Sequence, residues 1–252
     1  MFCRELAHDI RRVIVGSLRA ILSCNFTTLD EAIFRHPFVT TLWTRYLSTS
    51  MVPFTSCLMW QKNLTNCLPI LVSSCSRSSV VAVKLIRLHM SLVEELMTAD
   101  PELTLIQFVR DPRDILESWR SVSGSNLTQE QMLISANVLC TRMSKDCVIR
   151  HRLEKSFPGR ILVVRYEDLV TNTYRVLRKI YTSLLQLSIP TSVRLELVRK
   201  IYEHNDVGSV NIKKDGNRSA HKWKQDACLF NRQASSRLRQ RCLSPGYIAL
   251  KI

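Results

Sequence analysis

The chain has 252 residues, 46% of them hydrophobic and 23% charged, which supplies enough apolar surface for a substantial core and excludes a disordered tail. Thirty-six Lys and Arg against 21 Asp and Glu leave a net charge of +15. That balance points to an anionic partner: a nucleotide, an acidic or sulfated glycan, a nucleic acid or an anionic membrane. Nucleic acid is set aside, because aromatic residues make up only 7% and no helix-turn-helix, zinc-finger or stacking signature accompanies the charge.

In chain order, Glu5 to Leu22 carries Leu6, Ile10, Val13, Ile14, Leu18, Ile21 and Leu22 at helical period, with Arg4, Arg11, Arg12 and Arg19 mostly elsewhere. Residues 25 to 78 have no clear periodicity, and Cys57, Cys67 and Cys75 there suggest a loop stapled by one disulfide. Val80 to Leu88 reads as a strand. A short helix follows from Ser91 to Thr98, with Ser91 as its cap and Glu94 three residues on.

Leu103, Leu105, Ile106, Phe108 and Val109 form a short, nearly continuous apolar run, as in a strand covered on both faces. Asp111-Pro112-Arg113 breaks it: Pro112 has no amide hydrogen, and Asp111 can cap the helix that follows. Ile115, Leu116 and Trp119 give that helix an apolar face. A helix N-terminus carries unpaired N–H groups and positive potential, so Arg110 and the hydroxyl of Ser118 beside it make a phosphate clamp. The plainer alternative pairs Arg110 with Asp111 or Asp114.

A polar loop, Ser121 to Asn126, leads to a long helix from Gln129 to Phe157 that stops at Pro158-Gly159. Ile161 to Tyr166 is a further strand, and Thr173 to Leu187 and Ser192 to Glu203 are amphipathic helices split by Ile189-Pro190. Strands alternating with helices argue for a mostly parallel sheet with helices on both faces. From about residue 206 the chain turns polar and basic, reading as a mobile loop that folds over an anionic ligand, followed by a basic tail.

Nine cysteines include no zinc-ligand spacing, and four sequons, at Asn25, Asn63, Asn126 and Asn217, fit a secretory lumen with some disulfides. Cys140 and Cys147 lie two turns apart on one helix, too far to bridge each other. No metal is expected.

The strand, R-D-P-R and helix, with Ser118 eight residues after Arg110, resemble the 3′-phosphate-binding motif of sulfotransferases that use 3′-phosphoadenosine 5′-phosphosulfate. VVAVKLIRL (80–88), ILVVRYEDLVTNTYRVLRKIYTSLLQL (161–187) and residues 11–29 resemble three further family stretches in the same order. The likeness is to the Golgi carbohydrate sulfotransferases acting at O6 of N-acetylglucosamine or galactose. It implies an α/β, P-loop-NTPase-like three-layer fold with a mostly parallel sheet in one domain, with residues 5–205 as core and 206–252 as loop and tail. It also implies a nucleotide sulfate donor held by Arg110, Asp111, Pro112, Arg113 and Ser118, a glycan acceptor and a Golgi setting, and it is compatible with a homodimer.

By the same resemblance Arg218, Ser219 and Trp223 belong to a loop closing on the nucleotide, although the Ser219-to-Trp223 spacing is short and Lys224 stands where the family has Arg. Trp223 as an anchor of its loop is the structural alternative. Lys84 and Arg87, toward the carboxyl end of their strand, are expected to supply positive potential at donor or acceptor. His89 is a candidate base, against the plainer reading of a structural histidine. Glu167 and Asp168 are expected to fix the loop after their strand, by pairing with Arg165 or capping a helix.

Two departures stand out. The family's first strand, its Gly/Arg/Ser/Thr-rich loop and the helix that cradle the 5′-phosphosulfate have no counterpart upstream of Glu5, and SSCSRSSVVAV (73–83) precedes a strand and lacks glycine. No stretch has the length of an uncharged transmembrane helix, and Arg4, Glu5 and Asp9 fall where a signal peptide needs an apolar core. The expectation is a chain lacking its natural beginning, touching a membrane only through an absent N-terminal anchor. The readings are then the body of a carbohydrate sulfotransferase or a catalytically inactive module that binds an anionic nucleotide or glycan.

Overall fold

The computed structural model describes residues 2–35, 51–85, 88–123, 128–195 and 244–251. Two compact units divide the chain: Met1–Val83 with Leu92–Leu103 and Leu250–Ile252, and Lys84–Ser91 with Thr104–Ala249.

In the first unit, helix α1 (Phe2–Leu22) buries Val15, Leu18 and Leu22, which recur at helical spacing. Of the stripe residues whose burial is described, Ile14, Leu18, Ile21 and Leu22 are buried or half-buried. Ile10 and Val13 are 52% and 66% exposed. Arg11 pairs with Glu95 at 3.0 Å on the surface of the same unit.

A 3-10 turn (Phe26–Thr28) leads to α2 (Glu31–Arg35), and α3 (Val52–Gln61) and α4 (Leu64–Ser76) form a helical hairpin. Lys62, at φ 53°, turns the chain between these two helices, its N–H donating to the Leu58 carbonyl. Phe26, Phe34, Phe54, Cys67 and Leu71 make the core, with the rings of Phe34 and Phe54 edge to face at 5.9 Å. Disulfides join Cys57 to Cys67 across the hairpin and Cys24 to Cys75. The expected stapled loop is therefore a stapled pair of helices. Its periodicity is hidden because both helices are apolar over most of their surface and Pro69 lies inside α4.

Four strands form one sheet in the order β1 (Val81–Leu85), β4 (Ser244–Lys251), β2 (Leu103–Arg110), β3 (Ile161–Arg165). Strands β2 and β3 are parallel, with Leu105 opposite Ile161 and Val109 opposite Arg165. The residues of β2 are buried on both faces, as its nearly continuous apolar run requires. Strand β4 falls where the sequence suggested only a tail.

The described part of the first strand is Val81–Leu85, residues 86 and 87 of the expected strand lie outside the described residues, and α5 (Met90–Ala99) begins one residue ahead of Ser91. The Met90 N–H donates to the Asp146 carboxylate at 3.0 Å, so a distant residue takes the part of a helix cap.

In the second unit, α6 (Pro112–Ser123) packs on α7 (Gln129–Ser156) through Leu116, Met132, Ala136, Leu139, Cys140 and Met143. Helix α6 buries its first turn, whereas Trp119, expected on the apolar face, is 51% exposed. Helix α7 starts with a capping box, in which the Thr128 hydroxyl accepts from the Gln131 N–H and the Gln131 side chain accepts from the Thr128 N–H. It stops before Pro158-Gly159, where Gly159 takes φ 76° as the expected stop requires. Cys140 is disulfide-bonded and Cys147 is free, so the two do not bridge each other. Helices α8 (Tyr166–Thr171) and α9 (Thr173–Lys179) follow β3, and a π-helical turn (Ile180–Leu184) ends the run. Residues 191–195 are helical, and the rest of the helix expected to Glu203 lies outside the described residues.

Candidate functional site

Strand β2 delivers the chain to Arg110 and then breaks. Asp111 caps α6: its Oδ1 accepts from the Arg113 N–H at 3.0 Å, and its carbonyl accepts from the Ile115 N–H at 3.2 Å. Pro112 occupies the first helical position, where a missing N–H leaves no bond unmade. Arg113 grips both Asp111 carboxylate oxygens, Nε to Oδ1 at 2.8 Å and Nη2 to Oδ2, and both residues are largely enclosed. This pair fixes the strand-to-helix corner.

Arg110 is held differently. Its guanidinium lies 4.3 Å from the centroid of the Tyr166 ring, and its Nε stands 3.7 Å from Asp114 Oδ2, beyond hydrogen-bond reach. The alternative pairing with Asp114 is thus realised, but loosely. Among the described residues Arg110 donates no hydrogen bond, and its side chain keeps 28% of its surface exposed. The result is a half-buried cation held by Tyr166 and Asp114, beside a twelve-residue helix whose N-terminus points positive.

The second motif meets the first because β2 and β3 end at the same level. Tyr166 opens α8 immediately after β3 and supplies the ring under Arg110. Glu167 pairs with Arg165 at 3.8 Å, as expected, and its Oε1 also accepts from the Asp111 N–H at 2.9 Å. Asp168 is exposed in the first turn of α8. Neither the ring contact nor the bond to Asp111 is visible in the sequence, since each joins residues 56 apart. The signal that could have found them is the Arg165-Tyr-Glu-Asp string at a strand's carboxyl end, the level at which crevices form in α/β sheets.

Ser118 is half-buried on α6, one turn past Asp114 and on the same face of the helix. Lys84 and His89 are exposed, and neither forms a hydrogen bond or ion pair with the Arg110 cluster. The turn that carries His89 is held from α7: the Leu88 carbonyl accepts from Arg142 Nη2 at 2.9 Å, and Asp146 binds the Met90 N–H. Arg87, Arg218, Ser219 and Trp223 lie outside the described residues. Among the described residues no three His, Cys, Asp or Glu side chains are grouped to hold a metal, and no helix is long and apolar enough to cross a membrane.

The arrangement can hold an anion with oxygen acceptors at Arg110, beside the positive end of α6 and against a partly offsetting carboxylate at Asp114. Comparison with known proteins gives this geometry a context. A sulfotransferase family model matches residues 29–188, well over half of the chain. Carbohydrate sulfotransferase 1 of Danio rerio is 26% identical over 259 aligned positions, covering 85% of this chain and 60% of the relative. Carbohydrate sulfotransferase 3 of Mus musculus is 28% identical over 126 residues, 43% of this chain and 26% of its own length, and that of Rattus norvegicus 27% over 138. The chain therefore spans about three-fifths or less of the length of these curated relatives. No solved structure matches it at a significant level.

Proposed function

The chain belongs to the sulfotransferase family, and we propose that it transfers a sulfuryl group from 3′-phosphoadenosine 5′-phosphosulfate to a carbohydrate hydroxyl, at O6 of N-acetylglucosamine or galactose. The observation that carries this reading is Arg110, a cation positioned by Tyr166 and Asp114 that donates no hydrogen bond among the described residues. A phosphate monoester offers oxygens that match such a fork.

In this reading Arg110 and the Ser118 hydroxyl hold the 3′-phosphate, and the ring of Tyr166 keeps the guanidinium in place. Asp111, Pro112 and Arg113 act on the corner: the cap and the ion pair fix the strand-to-helix turn from which Arg110 projects. Arg218, Ser219 and Trp223 close over the nucleotide. The P-loop-like three-layer arrangement belongs to the same proposal.

Transfer requires the acceptor oxygen in line with the sulfur and the leaving phosphate, positive groups on the sulfuryl oxygens, and a base for the hydroxyl proton. Lys84 and Arg87 are assigned the positive groups and His89 the base. The setting is the Golgi lumen, with a glycan acceptor and a nucleotide donor as partners; the Cys24–Cys75 and Cys57–Cys67 disulfides support an oxidising compartment.

The test is calorimetric titration with adenosine 3′,5′-bisphosphate. Binding is expected in the wild type and about tenfold or more weaker in Arg110→Ala, because hydrogen bonds to a charged group contribute roughly 1.5–3 kcal/mol. Unchanged affinity in the folded variant would remove the 3′-phosphate from Arg110. Bisphosphate binding with no transfer to either sugar is the behaviour of an inactive module.

A further inference from the structure

A cavity of about 500 Å³ lies beside β3 in the second unit, and the chemistry proposed above makes no use of it. Its lining carries four cations, Arg165, Arg175, Arg178 and Lys179, against one carboxylate, Asp168. Asn172, Arg175, Lys179 and Thr182 recur every three or four residues, so one face of α9 and the π-helical turn forms a wall. The floor carries Val163, Val164 and Val176, and the wall above it is different. That wall is basic and hydroxylated, and Arg175, Arg178 and Lys179 are exposed.

We propose that this groove binds a polyanionic glycan, its sulfate or carboxylate groups meeting Arg175, Arg178 and Lys179 and its hydroxyls meeting Asn172 and Ser183. Length argues for a chain: from residue 172 to 183 the wall runs ~16 Å at 1.5 Å per residue, more than one sulfate or phosphate needs. Among the described residues the lining contains no aromatic ring on which a nucleobase could stack, which favours the glycan over a nucleic acid. Arg165 joins the groove to the candidate site, since it pairs with Glu167. A glycan seated here lies along the same strand end that presents Tyr166. That the occupant is a glycan rests on the sulfotransferase reading; the cationic groove does not.

The full chain is titrated with a heparin-derived octasaccharide at physiological ionic strength. The wild type is expected to bind, and the double variant Arg175→Glu/Arg178→Glu to bind about tenfold or more weaker, with a shallower dependence of affinity on salt. Arg175→Gln/Arg178→Gln, a gentler neutralisation, serves if charge reversal prevents folding, and circular dichroism checks both. Arg110→Ala is expected to keep octasaccharide affinity while losing bisphosphate binding. That separates the two sites, so a failed bisphosphate experiment with intact octasaccharide binding still supports the groove. Equal affinity in folded double variants, no binding by the wild type, or equally tight binding of a polyuridylate of matched charge overturns the proposal.

Discussion

The carboxylate of Glu167 accepts a 2.9 Å hydrogen bond from the backbone N–H of Asp111, 56 residues earlier in the chain. Asp111 is at once the cap of α6 and the counter-ion of Arg113, so Glu167 steadies the corner from which Arg110 projects. Glu167→Ala leaves that part-buried N–H without its partner, which costs about 1 kcal/mol, the low end of the penalty for a buried donor. We expect a lower thermal midpoint and weaker bisphosphate binding together. Glu167→Gln keeps an acceptor oxygen and should recover most of both; if Gln is as damaging as Ala, the bond to Asp111 is not what matters.

Tyr166 should act through its ring. Tyr166→Leu removes the cation–π contact under Arg110, worth about 0.5–2 kcal/mol. If Arg110 holds the donor, bisphosphate affinity falls roughly two- to thirtyfold. Tyr166→Phe preserves the ring and should stay within about twofold of wild type; calorimetry on the pair decides between ring and hydroxyl.

The Cys24–Cys75 and Cys57–Cys67 disulfides should contribute unequally. Cys24–Cys75 closes a separation of 51 residues and Cys57–Cys67 one of 10. Chain-entropy arguments give about 4 kcal/mol for the longer loop and about 3 kcal/mol for the shorter. Paired Cys→Ser variants, unfolded in urea, should rank in that order, and the reverse order would show that the hairpin rather than the long closure stabilises the unit.

Gln107 is buried in β2 with its Oε1 lacking a hydrogen-bond partner. Gln107→Met removes the buried polar group at similar volume and is expected to raise stability by about 1 kcal/mol, or roughly 2–4 °C in thermal midpoint. A drop in melting temperature would mean that the amide is paired in solution.

The elements with strong local signals were legible before any coordinates. The buried run of β2, the cap at Asp111, the start of α7 at Thr128 and its stop at Pro158-Gly159 all depend on neighbours within a few residues. The stapled hairpin was not, because α3 and α4 are largely apolar and Pro69 reads as a helix breaker although it lies inside α4. Strand β4 was missed for a similar reason, Pro245 and Gly246 signalling a turn within Ser244–Lys251. At the candidate site Arg110 could be named from its motif. Tyr166 and Glu167 acquired their partners only through the parallel pairing of β2 with β3, a relation that local pattern does not encode.

That pairing also sets where the chain can tolerate a change of length. Val109 lies opposite Arg165, with one residue between Val109 and Asp111 and one between Arg165 and Glu167. An amino acid inserted at either place slides the cap away from its carboxylate by a full residue, ~3.3 Å along the strand, more than a hydrogen bond can span. The same insertion near Pro158-Gly159 falls in a turn ahead of β3 and can be taken up there. Natural variation in length should therefore collect in such turns and spare the two strand ends.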